Sequence, residues 1–392
     1  MTKAALRVAM VAGEASGDLL GSLLLQGLQQ QWPQVQAFGI GGPQLARIGF
    51  TAWWPSDKLA VRGYVEVLRH YREIVDIRKQ LLQRLLADPP DVFIGIDAPD
   101  FNLELETQLK ARGVKTVHFV SPSIWAWRPE RIEKIRQAVD HVLCIFPFEK
   151  PLYDQAGIPA TYVGHPLAHT IPLQPDRQAA RRALALADND RVIAVLPGSR
   201  ASEVQYLAEV FFKAVVQVSI DQPAIKFIVP CAPGLRAAIT AQAQRAGVKV
   251  GEADSTANQQ GTVQLLDGQS HTALAACDVT LIASGTATLE AALFKRPMVI
   301  AYNMHWLSWQ MMRRKKLQPW VGLPNILCRD FVVPEFLQSA ATPQALSKAL
   351  LDWLAQPEKI HALQHRFTAL HAQLQRDTLQ LASHAIAQVI SH

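Results

Sequence analysis

Short apolar runs alternate with longer amphipathic stretches along most of this chain of 392 residues. In the first half the runs read LRVAMVA, VQAFGIGG, DVFIGID, KTVHFVS, HVLCIF and ATYVG. Continuous runs of Val, Ile and Phe between helical patterns are typical of parallel strands that are buried on both faces of a sheet. The alternation therefore predicts an α/β fold built on parallel sheets.

The alternation pauses between residues 165 and 190, where prolines and a polar, Arg- and Ala-rich stretch indicate a linker and a new first helix. A second series follows (RVIAVLPGS, IKFIVP, TVQLL, DVTLIAS, PMVIAY), and only helical patterns remain from residue 342. We predict two doubly wound, Rossmann-like domains, residues 1–168 and 188–341, and a helical tail, residues 342–392. Ligands of such sheets bind beyond the carboxyl ends of the strands, so we expect the domains to face a cleft.

Composition narrows the class of partner. The net charge of +6 and the pI of about 9.2 favour phosphate-bearing substrates, nucleic acid or an anionic membrane. The four cysteines lie far apart, without the spacing of a metal site, which indicates a reducing compartment. The first apolar run ends at Glu14, too early for a signal peptide, and no stretch is long and apolar enough to span a bilayer. We expect a cytoplasmic protein without a metal or cofactor.

A strand-to-helix turn in the second series has the composition of an anion-binding loop. In LIASGTATLE, residues Ser284, Gly285 and Thr286 precede a helix whose free N–H groups and positive dipole attract phosphate. Glu290, one turn into that helix, suits the two hydroxyl groups of a ribose. Ordinary Ser and Thr capping with a first-turn acid explains the same residues equally well.

A second turn of this kind reads VLPGSRASEV, in which Ser199 and Arg200 follow a Pro-Gly pair. The Arg200 guanidinium is placed to pair with a phosphate through two hydrogen bonds, although a surface arginine after a tight turn is the alternative. Neither GxxxxGK[ST] nor GxGxxG occurs in the chain. Two anion-type loops in one domain therefore indicate a diphosphate that is bound without a P-loop.

Acidic residues follow two strands of the first series. Asp97 comes after the buried run FIGI and before Pro99, which holds the turn rigid. An acid at the carboxyl end of a central strand is where a general base would be placed, and helix capping is the alternative. Glu14 directly follows the first strand. The other candidates for contacts with a substrate are Ser16 in GEASGD, Asp100 and Asn102 in APDFN, and Ser121, Trp127 and Arg128 in SPSIWAWR.

Two segments combine aromatic and basic residues. Residues 64–78 form an amphipathic helical pattern preceded by Trp53 and Trp54, and residues 305–320 contain three Trp, two Met and the basic block Arg313–Lys316. Such clusters suit an anionic lipid interface, while a core helix with a solvated charged face is the alternative. No RNA- or DNA-binding signature accompanies them, so we expect no nucleic acid partner.

The motifs GEASGD, IDAPDFN, VSPSIWAWR, LPGSR, ASGTATLE and GLPN resemble, in order and spacing, those of the lipid-A-disaccharide synthases. The resemblance implies the two-domain GT-B glycosyltransferase fold and an inverting, metal-independent reaction. That reaction joins UDP-2,3-diacylglucosamine to 2,3-diacylglucosamine 1-phosphate (lipid X) through a β(1→6) bond and releases UDP. It takes place at the cytoplasmic face of the inner membrane, to which the protein would bind peripherally.

The resemblance also implies roles for individual residues. Asp97 would be the base that takes the proton from the acceptor 6-hydroxyl, and the first domain would hold the acceptor. The residues implied for UDP binding are Ser199, Arg200, Ser284, Gly285, Thr286, Glu290 and Asn325. The helical tail could cross back to the first domain or pair two chains as a homodimer.

Four other functions fit part of the sequence. A UDP-N-acetylglucosamine epimerase or the peptidoglycan transferase would share the ribose-binding Glu290 but would not need IDAPDFN or WAWR in these positions. A nucleotide-binding regulatory module would keep Arg200 and Glu290 without Asp97. An RNA-binding protein would show affinity that falls steeply with salt.

Overall fold

The structure, a computed structural model, describes residues 5–59, 64–126, 128–251, 262–304, 309–310 and 317–391. The chain separates into two compact units. Unit 1 comprises residues 1–169 together with 373–392, and unit 2 comprises residues 170–372. Each unit is built on its own parallel sheet, as the two series of apolar runs predict.

Unit 1 contains seven parallel strands in its described residues. They are β1 (Leu6–Ala12), β2 (Val35–Gly41), β3 (Thr51–Pro55), β4 (Val92–Ile96), β5 (Lys115–Phe119), β6 (His141–Cys144) and β7 (Ala160–Tyr162). Their order in the sheet is β3-β2-β1-β4-β5-β6-β7, so the winding reverses between β1 and β4. The helices are α1 (Ala15–Gln31), α2 (Pro43–Ala46), α3 (Tyr64–Ala87), α4 (Pro99–Lys110), α5 (Arg131–Ala138), α6 (Glu149–Gln155) and α7 (Pro166–Thr170).

Unit 2 repeats this architecture with seven further parallel strands in its described part. They are β8 (Val192–Leu196), β9 (Lys226–Cys231), β10 (Lys249–Gly251), β11 (Thr262–Asp267), β12 (Val279–Ala283), β13 (Met298–Tyr302) and β14 (Glu335–Leu337). The order β10-β11-β9-β8-β12-β13-β14 reverses between β8 and β12. The helices are α8 (Arg177–Ala183), α9 (Ala201–Asp221), α10 (Arg236–Arg245), α11 (Ser270–Ala276), α12 (Thr286–Leu293), α13 (Leu323–Cys328), α14 (Pro343–Leu354) and α15 (Pro357–Leu374).

The central strands confirm the prediction of strands that are buried on both faces. Every residue of β4, β8 and β12 is buried. Helices cover the sheets, and in unit 1 Leu81 and Leu105 pack with Phe93 in one core. The doubly wound α/β prediction is therefore confirmed for both units.

Trp53 and Trp54 belong to strand β3, which the sequence pattern did not predict. Trp53 stacks on Phe38 with ring centroids 4.7 Å apart, and the Arg84 guanidinium lies 3.7 Å from its ring centroid. Both tryptophans pack against the core of unit 1. Both side chains are only partly buried, so their predicted place in a membrane-facing segment stays a prediction. The basic block 313–316 lies outside the described residues.

The polar stretch after residue 170 is part of unit 2, where a buried arginine anchors it. Arg181 of α8 is fully buried. Its guanidinium donates to the Ala276 carbonyl oxygen at 3.0 Å, to three carbonyl oxygens of residues 187–190, and to the Asp278 carboxylate. This stretch was predicted to contain a linker and the first helix of a new domain, and α8 is that helix.

The C-terminal helices are shared by the two units. In unit 2, α14 contributes Trp353, whose Nε1 donates to the Met298 carbonyl oxygen at 3.2 Å. The chain then returns to unit 1 with α16 (Thr378–Ser391), which packs against α1. A Cβ atom at Gly27 of α1 would lie 2.7 Å from the Leu379 carbonyl oxygen, so glycine permits this close approach. The single helical tail of the sequence-based division is thus split, because each part finds its packing partner in a different unit.

Candidate active site

The turns after β1 and β4 lie side by side where the winding of unit 1 reverses. A Cβ atom added to Gly13, after β1, would lie 3.5 Å from the Cβ atom of Ala98, after β4. Glu14 and Asp97 therefore share one edge of the sheet, and Glu14 is close enough to raise the pKa of Asp97. Doubly wound domains bind ligands at such reversal points.

The turn that carries Asp97 is strained. Asp97 and Ala98 have φ angles of 52° and 43°, a left-handed backbone that costs an L-residue about 1–2 kcal/mol. Val120, after the neighbouring strand β5, has a φ of 76°. Asn102 holds the first of these turns, because its Nδ2 donates to the Asp97 carbonyl oxygen at 2.8 Å. Strain that is held in place at adjacent strand ends is characteristic of functional sites.

The surroundings of the Asp97 carboxyl group make it more basic. Burial raises its pKa above the ordinary value, while His118 and a hydrogen bond from the Ala98 N–H partly oppose that increase. The net direction is upward, so Asp97 accepts a proton more readily than an exposed aspartate.

Three other predicted residues of unit 1 differ in exposure. Ser16 is exposed in the first turn of α1. The Asp100 carboxylate is also exposed and lies 2.6 Å from Arg131 Nη2. Asn102 is fully buried and its amide nitrogen faces main-chain carbonyl oxygens. This placement gives Asn102 a role in fixing the turn rather than a surface that a substrate could contact.

A buried carboxylate fixes the segment after β5. Ser121 is buried, with its Oγ atom 2.7 Å from the Tyr153 hydroxyl oxygen. Trp125 donates from Nε1 to Glu149 Oε1 at 3.1 Å, and two main-chain N–H groups donate to Glu149 Oε2. Burial raises the pKa of Glu149 to about 8, although these hydrogen bonds oppose the increase. The predicted Ser121 is thus buried and fixed by its hydrogen bond to Tyr153.

Two predicted residues of that segment complete the account of unit 1. Trp127 lies outside the described residues. Arg128 is half-buried and is engaged in interactions within the chain. Sequence reasoning missed Tyr153 and Glu149, since both lie on α6 and contact this segment only through the fold.

A cavity of about 380 Å³ in unit 2 lies at the carboxyl ends of β8 and β12, where the winding reverses. Both predicted anion loops line it. Its lining contains all but one of the residues that were predicted for UDP, namely Ser199, Arg200, Ser284, Gly285, Thr286 and Glu290. The volume is within the range of small-ligand sites.

Glu203, which was not predicted, occupies one of these loops. Its Oε2 accepts hydrogen bonds from the Ser199 and Arg200 N–H groups at 2.9 and 3.3 Å, and its Oε1 lies 3.2 Å from Arg200 Nη1. Gly198 makes room for it, because a Cβ atom there would collide with the Glu203 side chain. The carboxylate thus fills the main-chain anion site of this turn. The Arg200 side chain remains about half exposed and can still receive a phosphate.

The second loop offers the start of α12. Ser284 is fixed at both ends, since its N–H donates to the Ala301 carbonyl oxygen at 3.0 Å and its hydroxyl donates to the Val321 carbonyl oxygen at 3.3 Å. Gly285 follows with a φ of 149°, which an L side chain rarely adopts. Thr286 then begins the helix. The first N–H groups of a helix have no partner within it, so this turn can bind an anion.

Glu290 lines the cavity next to a histidine. Its Oε1 lies 3.7 Å from His271 Nε2, and hydrogen bonding to Glu290 raises the pKa of His271. The His271 ring packs against Phe294, with centroids 5.3 Å apart. Glu290 is therefore paired with His271 and also lines the cavity.

Asn325, the remaining residue predicted for UDP, is fully buried. Its Nδ2 donates to the Val333 carbonyl oxygen and to Glu335 Oε1, at 2.9 and 2.8 Å. Its Oδ1 accepts hydrogen bonds from the Val332 and Val333 N–H groups. The amide is thus fully used inside unit 2. Glu335 also accepts hydrogen bonds from residues 321 and 322, which adjoin Ser284, so Asn325 supports the second loop from behind.

Two further strand ends line the cavity and were missed. They are Pro230–Pro233 at the end of β9 and Gly268 with Ser270 after β11. Both strands were predicted, so the rule that ligands lie beyond strand ends would have indicated these residues. Among the described residues, no group of three or more His, Cys, Asp or Glu side chains is arranged to hold a metal ion. In the same part of the chain, no helix has the length and apolar character needed to cross a membrane.

Comparison with known proteins identifies close relatives. The sequence model of the lipid-A-disaccharide synthetase family matches residues 8–389. The lipid-A-disaccharide synthase of Albidiferax ferrireducens is 66% identical over 390 residues, which cover 98% of this chain and 97% of the relative. That of Verminephrobacter eiseniae is 61% identical and covers 100% of this chain and 99% of the relative.

Solved structures with low sequence identity share the fold. The UDP-GlcNAc 2-epimerase from Neisseria meningitidis bound to UDP-GlcNAc has a TM-score of 0.62 at 12% identity, covering 98% of this chain and 100% of that one. The glycotransferase of kitacinnamycin has a TM-score of 0.59 at 14% identity, covering 99% and 100%. At these identities the likeness shows the fold alone.

Proposed function

Since this chain belongs to the lipid-A-disaccharide synthetase family, we propose how its two units perform the reaction that forms the lipid A disaccharide. The enzyme is a glycosyltransferase of that family. The donor is UDP-2,3-diacylglucosamine and the acceptor is the 6-hydroxyl group of 2,3-diacylglucosamine 1-phosphate. The observation that carries the proposal is the pair of reversal-point sites, a nucleotide-sized cavity in unit 2 and a strained, basic Asp97 in unit 1.

In unit 2 the nucleotide is bound through its diphosphate and its ribose. The Arg200 guanidinium and the first N–H groups of α12 bind the diphosphate, with Ser284 and Thr286 beside it. Glu290 accepts hydrogen bonds from the ribose hydroxyl groups. Ser199 belongs to the same site, where it shares Glu203 with Arg200.

In unit 1 Asp97 acts as the general base. It takes the proton from the 6-hydroxyl group while the hydroxyl oxygen forms a bond to C1 of the donor sugar. The bond between C1 and the diphosphate oxygen breaks, and UDP leaves with its electron pair. Attack opposite the leaving group inverts C1 to the β configuration. Arg200 and the α12 N-terminus stabilise the charge that develops on the diphosphate, so we propose that the reaction needs no metal ion.

The remaining residues at this edge of unit 1 bind the acceptor. Glu14, Ser16 and Asp100 are proposed to contact the acceptor beside Asp97. Arg128 is the basic residue of the SPSIWAWR segment. A cation suits the 1-phosphate of the acceptor. Trp127 and Ser121 belong to the same segment and are proposed to form the wall of the acceptor site.

The first test measures UDP release by the purified enzyme in detergent, with both substrates and then with each alone, in the presence of EDTA. We expect release only when both substrates are present. UDP release with the donor alone would indicate hydrolysis or epimerase-like chemistry and would contradict the proposed transfer. Loss of release in EDTA would contradict metal independence.

Replacing the base tests its role. We expect Asp97→Asn to reduce turnover by at least about 100-fold, because general base catalysis contributes about 10²–10⁴-fold. UDP affinity, measured by calorimetry, should not change, since the nucleotide site lies in unit 2. The matched control is Asp154→Asn, a surface acid of unit 1 that pairs with Lys150. A turnover of Asp97→Asn equal to that of the control would exclude Asp97 as the base.

Peripheral binding to the cytoplasmic face of the inner membrane is proposed because both substrates carry acyl chains and because residues 313–316 are all basic. Each cation near an anionic surface contributes about 1 kcal/mol. We expect replacement of Arg313–Lys316 by Gln to abolish retention on anionic vesicles. The matched control replaces four exposed cations of unit 2, namely Lys213, Arg245, Lys348 and Lys359. Equal retention of the two variants would contradict this assignment.

A homodimer through the C-terminal region remains a prediction from the sequence. It rests on the helical tail, of which α16 packs against α1 of the same chain. Sedimentation of the full chain tests it, and the mass of a single chain would contradict it.

A further inference from the structure

A buried hydrogen-bonded couple, Glu106 and His118, lies under the Asp97 turn. His118 is on β5 and Glu106 on α4, and both side chains are fully buried, with Nδ1 of His118 2.8 Å from Oε1 of Glu106. Gly95 pairs with His118 in the sheet register, and a Cβ atom at Gly95 would collide with Glu106. The space that Gly95 leaves is therefore filled by a carboxyl group.

Burying this couple in the core costs desolvation free energy. Burial raises the pKa of Glu106, which shows that its charged form is poorly solvated. Moreover, Oε2 of Glu106 and Nε2 of His118 have no hydrogen-bond partner within the described part of the chain. Apolar side chains of similar volume would avoid the desolvation cost of these groups. Packing alone does not account for a carboxyl group and an imidazole at this position.

The couple is connected to Asp97 along three paths. Asp97 donates its N–H to the carbonyl oxygen of Phe119, the residue after His118, at 2.9 Å. Helix α4 carries both Glu106 and Asn102, and Asn102 holds the Asp97 carbonyl oxygen. His118 is also close enough for its charge to lower the pKa of Asp97, against the effects of burial and Glu14.

We propose that Glu106 and His118 are positioning residues that keep the Asp97 carboxylate ionised and in place to accept the acceptor's proton. This inference rests on the proposed role of Asp97 as the base. Glu106 holds the imidazole at Nδ1, and a positive charge on that ring stabilises the neighbouring Asp97 carboxylate. Two neighbouring groups change the pKa of Asp97 through their charge: His118 lowers it and Glu14 raises it. The buried Asp18 of α1 accepts hydrogen bonds from main-chain N–H groups at the start of α2.

The pH dependence of kcat gives the direction of the effect. The base must be ionised, so kcat falls as the pH drops below the pKa of Asp97. Without the positive charge of His118, that pKa rises. The acidic limb of the plot of kcat against pH, where kcat falls as Asp97 becomes protonated, then moves to higher pH. An opposite charge within about 4–6 Å shifts a pKa by about 1–3 units, so we expect His118→Gln to move the limb by about one pH unit. Glu106→Gln should move it in the same direction, because the imidazole then loses the carboxyl group that holds its ring beside Asp97.

The variants are compared with the wild type and with Glu104→Gln, which removes an exposed acid from the same helix. A limb that moves upward in His118→Gln and Glu106→Gln but not in the control supports the proposal. A limb that stays in place while kcat falls at every pH would overturn it, because a merely structural couple would not set the titration of Asp97.

A second measurement follows the Asp97 carboxyl group directly. Its titration is followed by carbon NMR in the wild type, in His118→Gln and in Glu104→Gln, after far-ultraviolet circular dichroism has shown that each variant is folded. Loss of His118 should raise the pH at which Asp97 titrates, because His118 opposes the effect of burial on the pKa of Asp97. An unchanged midpoint in folded His118→Gln would overturn the proposal. If the wild type forms no disaccharide, the proposed function fails; if it does and the limb stays in place, only the present inference fails.

Discussion

Two glutamates line the cavity of unit 2, and they differ in what they leave available to a ligand. Glu203 accepts hydrogen bonds from main-chain N–H groups that a phosphate would otherwise use, whereas Glu290 is proposed to accept hydrogen bonds from ribose hydroxyl groups. The residue type of Glu290 and its place one turn into α12 were enough to predict that it lines the site, and its contact with ribose stays a prediction. Glu203 was missed because its side chain turns back onto its own loop, which depends on the φ of 134° at Gly198 and not on residue type.

At this scale the ribose contact can be isolated. We expect Glu290→Gln to weaken UDP binding about 10- to 100-fold, because a hydrogen bond to a charged group contributes about 1.5–3 kcal/mol. The loss should be smaller with 2′-deoxy-UDP, which lacks one of the two hydroxyl groups. Calorimetry with both nucleotides forms a double-mutant cycle. Glu209→Gln, on the surface of α9, is the control. An equal loss for both nucleotides would mean that Glu290 does not contact the 2′-hydroxyl group.

At the scale of elements, the strand-to-helix turns carry most of the candidate site residues of both units. Continuous apolar runs made the central strands easy to predict, and the residues after them indicated the loops. The edge strands β3, β10 and β14 were not predicted, because they are short and only partly buried. Asn102 and Asn325 were predicted as ligand contacts, but both support a turn from inside. An amide in a motif does not indicate from sequence alone which side of the loop it faces.

The turn after β8 provides a test of this scale. We expect Gly198→Ala to weaken UDP binding at least tenfold, because the added Cβ atom displaces Glu203 and with it the Ser199 and Arg200 main chain. Gly247→Ala is the matched control. Gly247 also has a positive φ, of 80°, but a Cβ atom there meets nothing within 4 Å. It should cost about 1 kcal/mol of stability and leave UDP affinity unchanged. Equal affinities of the two variants would contradict the role assigned to Glu203.

At the scale of the whole molecule, the sequence predicted two doubly wound domains and a helical end, and both sheets have the expected character. The limits of the units depend on contacts between distant residues, which no local pattern reveals. Arg181 anchors α8 in unit 2, because it donates hydrogen bonds to the Ala276 carbonyl oxygen and to the Asp278 carboxylate. Both partners lie about a hundred positions further along the chain. Residues 373–392 join unit 1 because α16 finds its partner in α1.

The packing of α16 on α1 can be tested by one methyl group. We expect Gly27→Ala to lower the Tm of unit 1, because the new Cβ atom would lie 2.7 Å from the Leu379 carbonyl oxygen and overpacking costs about 1–3 kcal/mol. Gln26→Ala changes an exposed neighbour on the same helix and should have little effect. UDP affinity should be the same in both. An unchanged Tm of Gly27→Ala would contradict this prediction, because it would show that α16 can move away from α1 without loss of stability.

The same contact between α1 and α16 fixes the order in which the two units can be completed during synthesis. The ribosome makes α16 after α1, with the whole of unit 2 between them. At about 5–20 residues per second, the strands of unit 1 wait about 10–40 seconds for this helix. Unit 2, which is continuous in the chain, can fold completely within that time. The unit that is begun first is therefore completed after the other, and α1 leaves the ribosome with an apolar face that is covered only once α16 has been made.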